Sequence, residues 1–218
     1  MVVELISYTK PVKKIPAKTT EEYIAYVARV SNPSNQDNSE TASKLVNYLM
    51  KHKHWSPLEM VDITLEIQCT RDIARQILRH RSFSFQEFCI TGDSFVRDLG
   101  AGVEYSEARL QDNKNRQNSI ESDDDELQSA WLSSQKLIFD LAIQNYNEAI
   151  KHGIAKEIAR KVMPEGLTMS RLYMKGSLRS WIHYIQVRMH ESTQKEHREV
   201  AKACMNEINT IFKLEGHL

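Results

Sequence analysis

The sequence predicts an α+β protein, and three observations carry that expectation. Val61, Ile63, Leu65 and Ile67 alternate with Asp62, Thr64, Glu66 and Gln68, the period of a strand buried on one face. Most of the remaining chain carries helical periodicity. The few strand-like runs do not alternate regularly with the helical ones, which argues against a β-α-β architecture. At 218 residues the chain is long enough to bury a proper core, and a single domain over residues 1–218 accounts for it.

Each element has a local signal. Val2 to Tyr8 reads as a first strand, and Pro11 and Pro16 bracket the loop after it. Thr19 followed by Glu22 is a capping box, so a helix runs from there to about Val30. Ser31 to Asn35 is a loop. A second helix starts at Ser39 or Thr41, passes through Leu45, Leu49 and Met50, and ends near His52 and His54. Trp55 to Glu59 connects it to the alternating strand. A short helix over Thr70–Leu78 follows, then a strand-like alternation with Phe83 and Phe85 on one side and Ser82, Ser84 and Gln86 on the other. Thr91 to about Arg109, with three glycines, reads as irregular, and Asp112 to Asp125 as a polar surface segment. A long helix is expected over about Glu126–His152, with Trp131, Leu137, Leu141 and Tyr146 as core positions and Gly153 as its C-terminal cap. A short helix (Ala155–Val162), a strand (Leu167–Met174) and two helices (Ser177 to about Met189, Thr193 to about Phe212) complete the chain.

Composition excludes several classes of function. Basic and acidic residues balance at 29 each, so an anion site has to come from local clustering. No apolar run approaches the ~20 residues of a membrane span, and the first residues lack a signal-peptide pattern. Cys69, Cys89 and Cys204 are few and widely separated, which suits a reducing compartment such as the cytoplasm and no disulfide framework. His52, His54 and Glu59 match no zinc spacing, so no metal is expected there.

The chemistry concentrates at Arg79-His80-Arg81, which closes the short helix. Three side chains that can all be cationic suit either a solvated turn or a bound anion. Aromatic residues close behind favour the anion, because guanidinium groups both chelate phosphate and stack on flat rings. Gln76 shares a helix face with Arg79, and Arg179 shares one with His183. Read locally, Arg160 and Arg188 are charges near helix C-termini, Arg171 is a strand residue able to face solvent, and Arg109 to Arg116 is a charged surface run.

Arg79-His80-Arg81, two residues, Ser84, one residue, the amide Gln86 and Glu87 resemble the signature of the flavin-dependent thymidylate synthases. The resemblance covers nearly the whole chain and looks closest to phage and large-DNA-virus members. It implies a central, mostly antiparallel sheet flanked by helices, with a helical lobe. It also implies transfer of a one-carbon unit from methylenetetrahydrofolate to C5 of dUMP, with reduced FAD as hydride donor and NADPH as reductant. The sites would be shared between chains of a homotetramer, in the cytoplasm (the host's, for a viral protein), with no obligatory nucleic acid. Matching positions place His54, Ser56, Arg79, His80, Arg81, Glu87, Ser177, Arg179 and His183 at the flavin. They place Gln76, Arg79, Ser84, Glu87, Cys89, Ile90, Thr91, Arg160 and Arg188 at the nucleotide, with Arg188 and Glu87 as the catalytic positions. Gln194 fits the family pattern after Arg188, and Ser192 stands where many members have a His.

One departure matters. The signature usually ends in Ser, any residue, Arg, where this chain has Cys89-Ile90-Thr91. Loss of a charged phosphate contact costs on the order of 1.5–3 kcal/mol unless it is replaced. Arg97 in the following loop is the candidate replacement. The same chemistry on dCMP, giving a 5-methyl or 5-hydroxymethyl product, is the alternative, and Cys89 as a nucleophile is a further one. From a different class, Arg79 and Arg81 could form a basic patch on a nucleic-acid-binding protein, against which the zero net charge counts.

Overall fold

The computed structural model describes residues 1–12, 14–87, 102–116 and 118–214. A four-stranded antiparallel sheet, in the order β1-β2-β6-β3, forms the frame: β1 (Val2–Tyr8), β2 (Asp62–Thr70), β6 (Met169–Ser177) and β3 (Ser84–Glu87). β2 pairs with β6 along its whole length, from Asp62 opposite Ser177 to Thr70 opposite Met169. β3 pairs with the other edge of β6, from Ser84 opposite Lys175 to Glu87 opposite Leu172. The α+β class and the antiparallel sheet are therefore as expected.

The alternation in β2 does what its period predicts. Ile63, Leu65 and Ile67, with Val61 just before them, are fully buried, and they pack against helices α6 (Leu178–Arg188) and α7 (Lys195–Asn209). Those helices contribute Trp181, Ile182, Ile185, Val200, Cys204 and Ile208, and Trp181 Nε1 donates to the Ile63 carbonyl at 3.1 Å, tying the indole to the sheet. Helices α1 (Thr20–Ala28) and α2 (Ala42–Lys51) close the other end of the core through Ile24, Val46 and Leu49. The capping box on α1 is formed, with Thr19 accepting from the Glu22 backbone and Glu22 reaching back to the Thr19 backbone.

Gly176 shows how tightly β3 is fitted. A Cβ there would lie 2.5 Å from the Phe83 ring, which occupies the space above the strand. From that seat Phe83 meets Trp181 edge-on at a centroid distance of 4.8 Å and Tyr184 at 6.0 Å. The Arg79–Arg81 turn at the end of α3 (Arg71–Ile77) is thereby anchored to the core through the residue that follows it by two.

One expectation gains detail and one needs correction. The polar surface segment expected over Asp112 to Asp125 contains one strand of a small hairpin, β4 (Arg109–Gln111) with β5 (Ser119–Glu121). Asp112 builds its turn by accepting from the backbone of Lys114 and Asn115, and strands of three residues leave too short a period to read. The long helix, α4 (Asp125–Lys151), is present and capped by Asp124, yet Trp131, Leu137 and Leu141 are 44%, 71% and 57% exposed. Of the expected core positions only Tyr146 is buried, because within one chain α4 lies outside the sheet-and-helix core. Gly153 caps it with φ of 76°. The short helix α5 (Lys156–Ala159) continues into a 3-10 turn over Arg160–Val162. Among the described residues, no helix is long and apolar enough to cross a membrane.

Candidate functional site

Helix α6 has a cavity at each end, and the Arg79–Arg81 turn lies beside it. The first cavity, about 350 Å³, is lined by Trp55, Glu59, Ser82, Arg179, His183 and Gln186 among others. Its architecture comes from Ser177, the N-cap of α6, whose hydroxyl accepts from the Ser180 backbone and donates to Glu59. Glu59 also accepts from Arg179 Nη1 at 2.7 Å. Burial alone would raise the Glu59 pKa, but the hydrogen bonds from Ser177 and Arg179 and the Arg179 charge outweigh it and hold the carboxyl below its ordinary value. Glu59, considered from sequence only as a poor metal ligand, thus orients two of the residues expected at the flavin. Among the described residues no three His, Cys, Asp or Glu side chains are gathered as a metal ion would need.

The second cavity, about 450 Å³, is lined by Gln76, Arg79, Val187, Arg188, Ser192, Thr193 and Gln194. Gln76 and Arg79 come from the end of α3, Arg188 from the end of α6, and the rest from the turn into α7, so positions more than a hundred residues apart converge. Arg188 Nε donates to His80 Nε2 at 2.8 Å. That bond makes Nε2 an acceptor, so the His80 ring is neutral and carries its proton on Nδ1. Burial first, and then the charges of Arg188, His183 and Arg79, push the His80 pKa down to about 4. Of the three side chains at 79–81 that can all be cationic, the middle one turns inward, edge-on to Tyr184 at a centroid distance of 4.9 Å, and is neutral.

Beneath this cavity Gln76 and Gln194 connect to two buried polar side chains, His197 and Tyr184, that sequence reasoning missed. His197 in α7 is fully buried. Its Nε2 lies 3.1 Å from Tyr184 Oη and its Nδ1 3.2 Å from Gln76 Oε1. Gln76 Nε2 in turn donates to Gln194 Oε1 at 2.8 Å. Burial, with the Arg188 charge and His80 behind it, pushes the His197 pKa down to about 3. Its spacing to Val200, Ala201 and Cys204 on the apolar face of α7 was the available signal, since a His on a core face needs a partner.

The other expected positions divide. His54 and Ser56 are exposed on either side of Trp55, with His54 edge-on to Tyr48 at 5.9 Å. Arg81 and Ser84 are exposed, and Arg160 is exposed in its 3-10 turn outside the lining of the second cavity. Glu87 is half-buried and accepts from the Ser170 hydroxyl at 2.9 Å. Arg171 is half-buried on β6. Arg109, in the second run of family-like residues, pairs with Glu196 and, at 3.4 Å, with Glu107. Cys89, Ile90, Thr91 and Arg97 lie outside the described residues. Cys69 and Cys204 are buried free thiols, and burial pushes the Cys69 pKa up to about 12.

Residues 4–212 match the family model described as thymidylate synthase complementing protein. The chain is 46% identical over 204 residues to a probable flavin-dependent thymidylate synthase of Paramecium bursaria Chlorella virus 1, covering 94% of this chain and 92% of that protein. It is 48% identical over 206 residues to the flavin-dependent thymidylate synthase of a Synechocystis strain, with the same two coverages. Among solved structures, the UMP/dUMP methylase PolB from Streptomyces cacaoi, bound with 5-Br dUMP, superposes with a TM-score of 0.78 at 25% identity, covering 96% of this chain and 90% of that one. A match that runs from the first strand to the last helix, with relatives nearly half identical across almost their full length, places the chain in the thymidylate synthase complementing protein family.

Proposed function

We propose that the protein is a flavin-dependent thymidylate synthase: a single catalytic domain (1–218) that transfers a one-carbon unit from methylenetetrahydrofolate to C5 of dUMP, with FAD as cofactor and NADPH as its reductant. The observation that carries this reading is the meeting of Gln76, Arg79 and Arg188 around one cavity, next to a second cavity lined by Arg179 and His183. The names of the relatives and of the dUMP-analogue-bound structural neighbour support the same assignment.

The first cavity suits a flavin nucleotide by its donors. Arg179, His183 and Gln186 offer cationic and hydrogen-bonding groups for phosphate and ribose oxygens, and Trp55 and Ile182 offer apolar surface. Glu59, itself bonded to Ser177, holds Arg179 in place, and Arg81, His54 and Ser56, next in the chain to the lining residues Ser82 and Trp55, are proposed at the flavin by their family positions. The flavin, when bound, supplies the hydride, and the protein supplies position and field. In the second cavity Arg188 is oriented by its bond to His80, so its terminal nitrogens address the pyrimidine and favour the anionic form of the base. Arg79 and Gln76, which line the same cavity, would hold the nucleotide beside it, and Arg160 would reach it from another chain of the proposed tetramer. Glu87, fixed by Ser170, lies on the strand that follows the turn.

The self-association as a homotetramer that this reading includes has its support in α4. Leu127, Trp131, Leu137, Ile138 and Leu141 are all exposed and fall within about a third of the helix circumference, an apolar stripe that one chain leaves uncovered. Purified protein should be yellow, and its NADPH oxidation should be stimulated by dUMP. Product mass from labelled methylenetetrahydrofolate with dUMP and with dCMP decides the base, and turnover of dCMP alone would replace this reading by the cytosine one. Folded protein that takes up no FAD, and instead binds RNA in a salt-dependent way, would end it.

A further inference from the structure

The buried side chains under the second cavity have a hydrogen-bond direction, and the direction has a consequence at the cavity wall. His197 is neutral, since burial and the neighbouring Arg188 charge keep a proton off it. A neutral imidazole has one donor and one acceptor, so the contacts at its two nitrogens cannot be chosen independently. Two arrangements fit the distances. In one, Tyr184 O–H donates to His197 Nε2, His197 Nδ1–H donates to Gln76 Oε1, and Gln76 Nε2 donates to Gln194 Oε1. In the other every bond is reversed.

Tyr184 decides between them. Its side chain is fully buried, and among the described residues His197 Nε2 is its hydroxyl's hydrogen-bond partner. In the reversed arrangement the hydroxyl would accept from His197, and its own proton would be left without an acceptor in the core, the more costly defect. The forward arrangement leaves only spare lone pairs on that oxygen. It also fixes both carboxamides. Each commits its oxygen inward, Gln76 to His197 and Gln194 to Gln76, and each has N–H left over on the cavity side, beside the guanidinium groups of Arg79 and Arg188.

We propose that Tyr184 and His197 form a buried relay that sets Gln76 and Gln194 as donors toward the cavity, and that this makes the site select a pyrimidine with a carbonyl at that edge, uracil, over one with an amino group, cytosine. Tyr184 and His197 are positioning residues that act through Gln76 and never touch the base. The inference rests on the assignment of this cavity to the nucleotide. A wall of donors donates to the O4 carbonyl of uracil and meets the N4 amino group of cytosine donor to donor, and a site built with one hydrogen-bond polarity rejects the wrong partner strongly.

The test is the ratio of dUMP to dCMP affinity, read from the flavin absorbance change on titrating the FAD-loaded full chain. Wild type should favour dUMP by about 100-fold or more. Tyr184→Phe keeps the ring and removes the O–H, which frees His197 to change tautomer and Gln76 to turn over. His197→Leu keeps the packing and removes the relay entirely. Both variants should retain FAD, and both should narrow the ratio by about 10-fold or more, chiefly by weakening dUMP. Were the two residues merely structural, both nucleotides would weaken by the same factor, and an unchanged ratio in the two variants sinks the relay alone. Wild type that binds dCMP as tightly as dUMP overturns the assigned polarity. Wild type that responds to neither nucleotide removes the functional reading as well.

Discussion

The two ends of helix α6 are built on different physics. At its N-terminal end, Arg179 is exposed, paired with Glu59 and braced by the Ser177 cap. At its C-terminal end, Arg188 is half-buried and bonded to a neutral His80, and beneath it the buried pair Tyr184 and His197 connects through partly buried, directional bonds to two carboxamides that line the cavity. Charge in solvent is tolerant of geometry and screened by salt. Hydrogen bonds away from water are intolerant, because a mismatched donor or acceptor has nowhere else to turn. The first end suits holding a large charged cofactor, and the second suits reading a small ring.

The largest effect that separates the ends is expected from Arg188→Ala. Turnover with dUMP should fall by about 100-fold or more, since a charged donor oriented at the base disappears, while FAD retention at the other end stays near wild type. The same variant should raise the His80 pKa from about 4, because the Arg188 charge that opposes its protonation is gone, and ring titration by NMR would measure this.

Acid should act on one end before the other. His80 and His197 have pKa values depressed in the fold to about 4 and about 3 from an ordinary 6.5. In that window the unfolded chain binds more protons than the folded one, so stability is fully present above about pH 6.5 and declines as pH falls toward 4. A loss of about 2–4 kcal/mol between pH 7 and pH 4 is expected from denaturant melts, and His197→Leu should remove a large part of it. Gly176→Ala tests the Phe83 wedge between the ends. The new Cβ would meet the ring at 2.5 Å, and the protein should lose about 1–3 kcal/mol by the same melts, with flavin and nucleotide affinities both reduced. The smallest effect is expected from Glu59→Gln, at an exposed pair. FAD affinity should drop by about 3-fold, less at high salt, with the dUMP to dCMP ratio unchanged.

Legibility from sequence divides along the same line. The Arg79–Arg81 turn, Gln76 and Arg79 on one face, and Arg179 and His183 on another were all readable, because they depend on local spacing along short helices. Arg188 was found through its family position. The charge state of His80 was not legible, because its neutrality depends on the packing of Tyr184 and on Arg188, which lies far along the chain. His197 and Tyr184 were invisible as functional residues, because each reads as an ordinary core position until the partners from α3 and α6 are in place.

What the sequence determined by itself was the class of fold, the strand β2 with its buried face, the caps of α1 and α4's C-terminus, and the concentration of positive charge at one corner. Those follow from periodicity and from backbone preferences, which act over a few residues. Tertiary structure alone decided which cations stay charged, that Trp131, Leu137 and Leu141 stay outside the core, and which way the hydrogen bonds beneath Gln76 run. Such outcomes depend on desolvation and on partners brought together across the whole chain, and both are properties of the packed molecule.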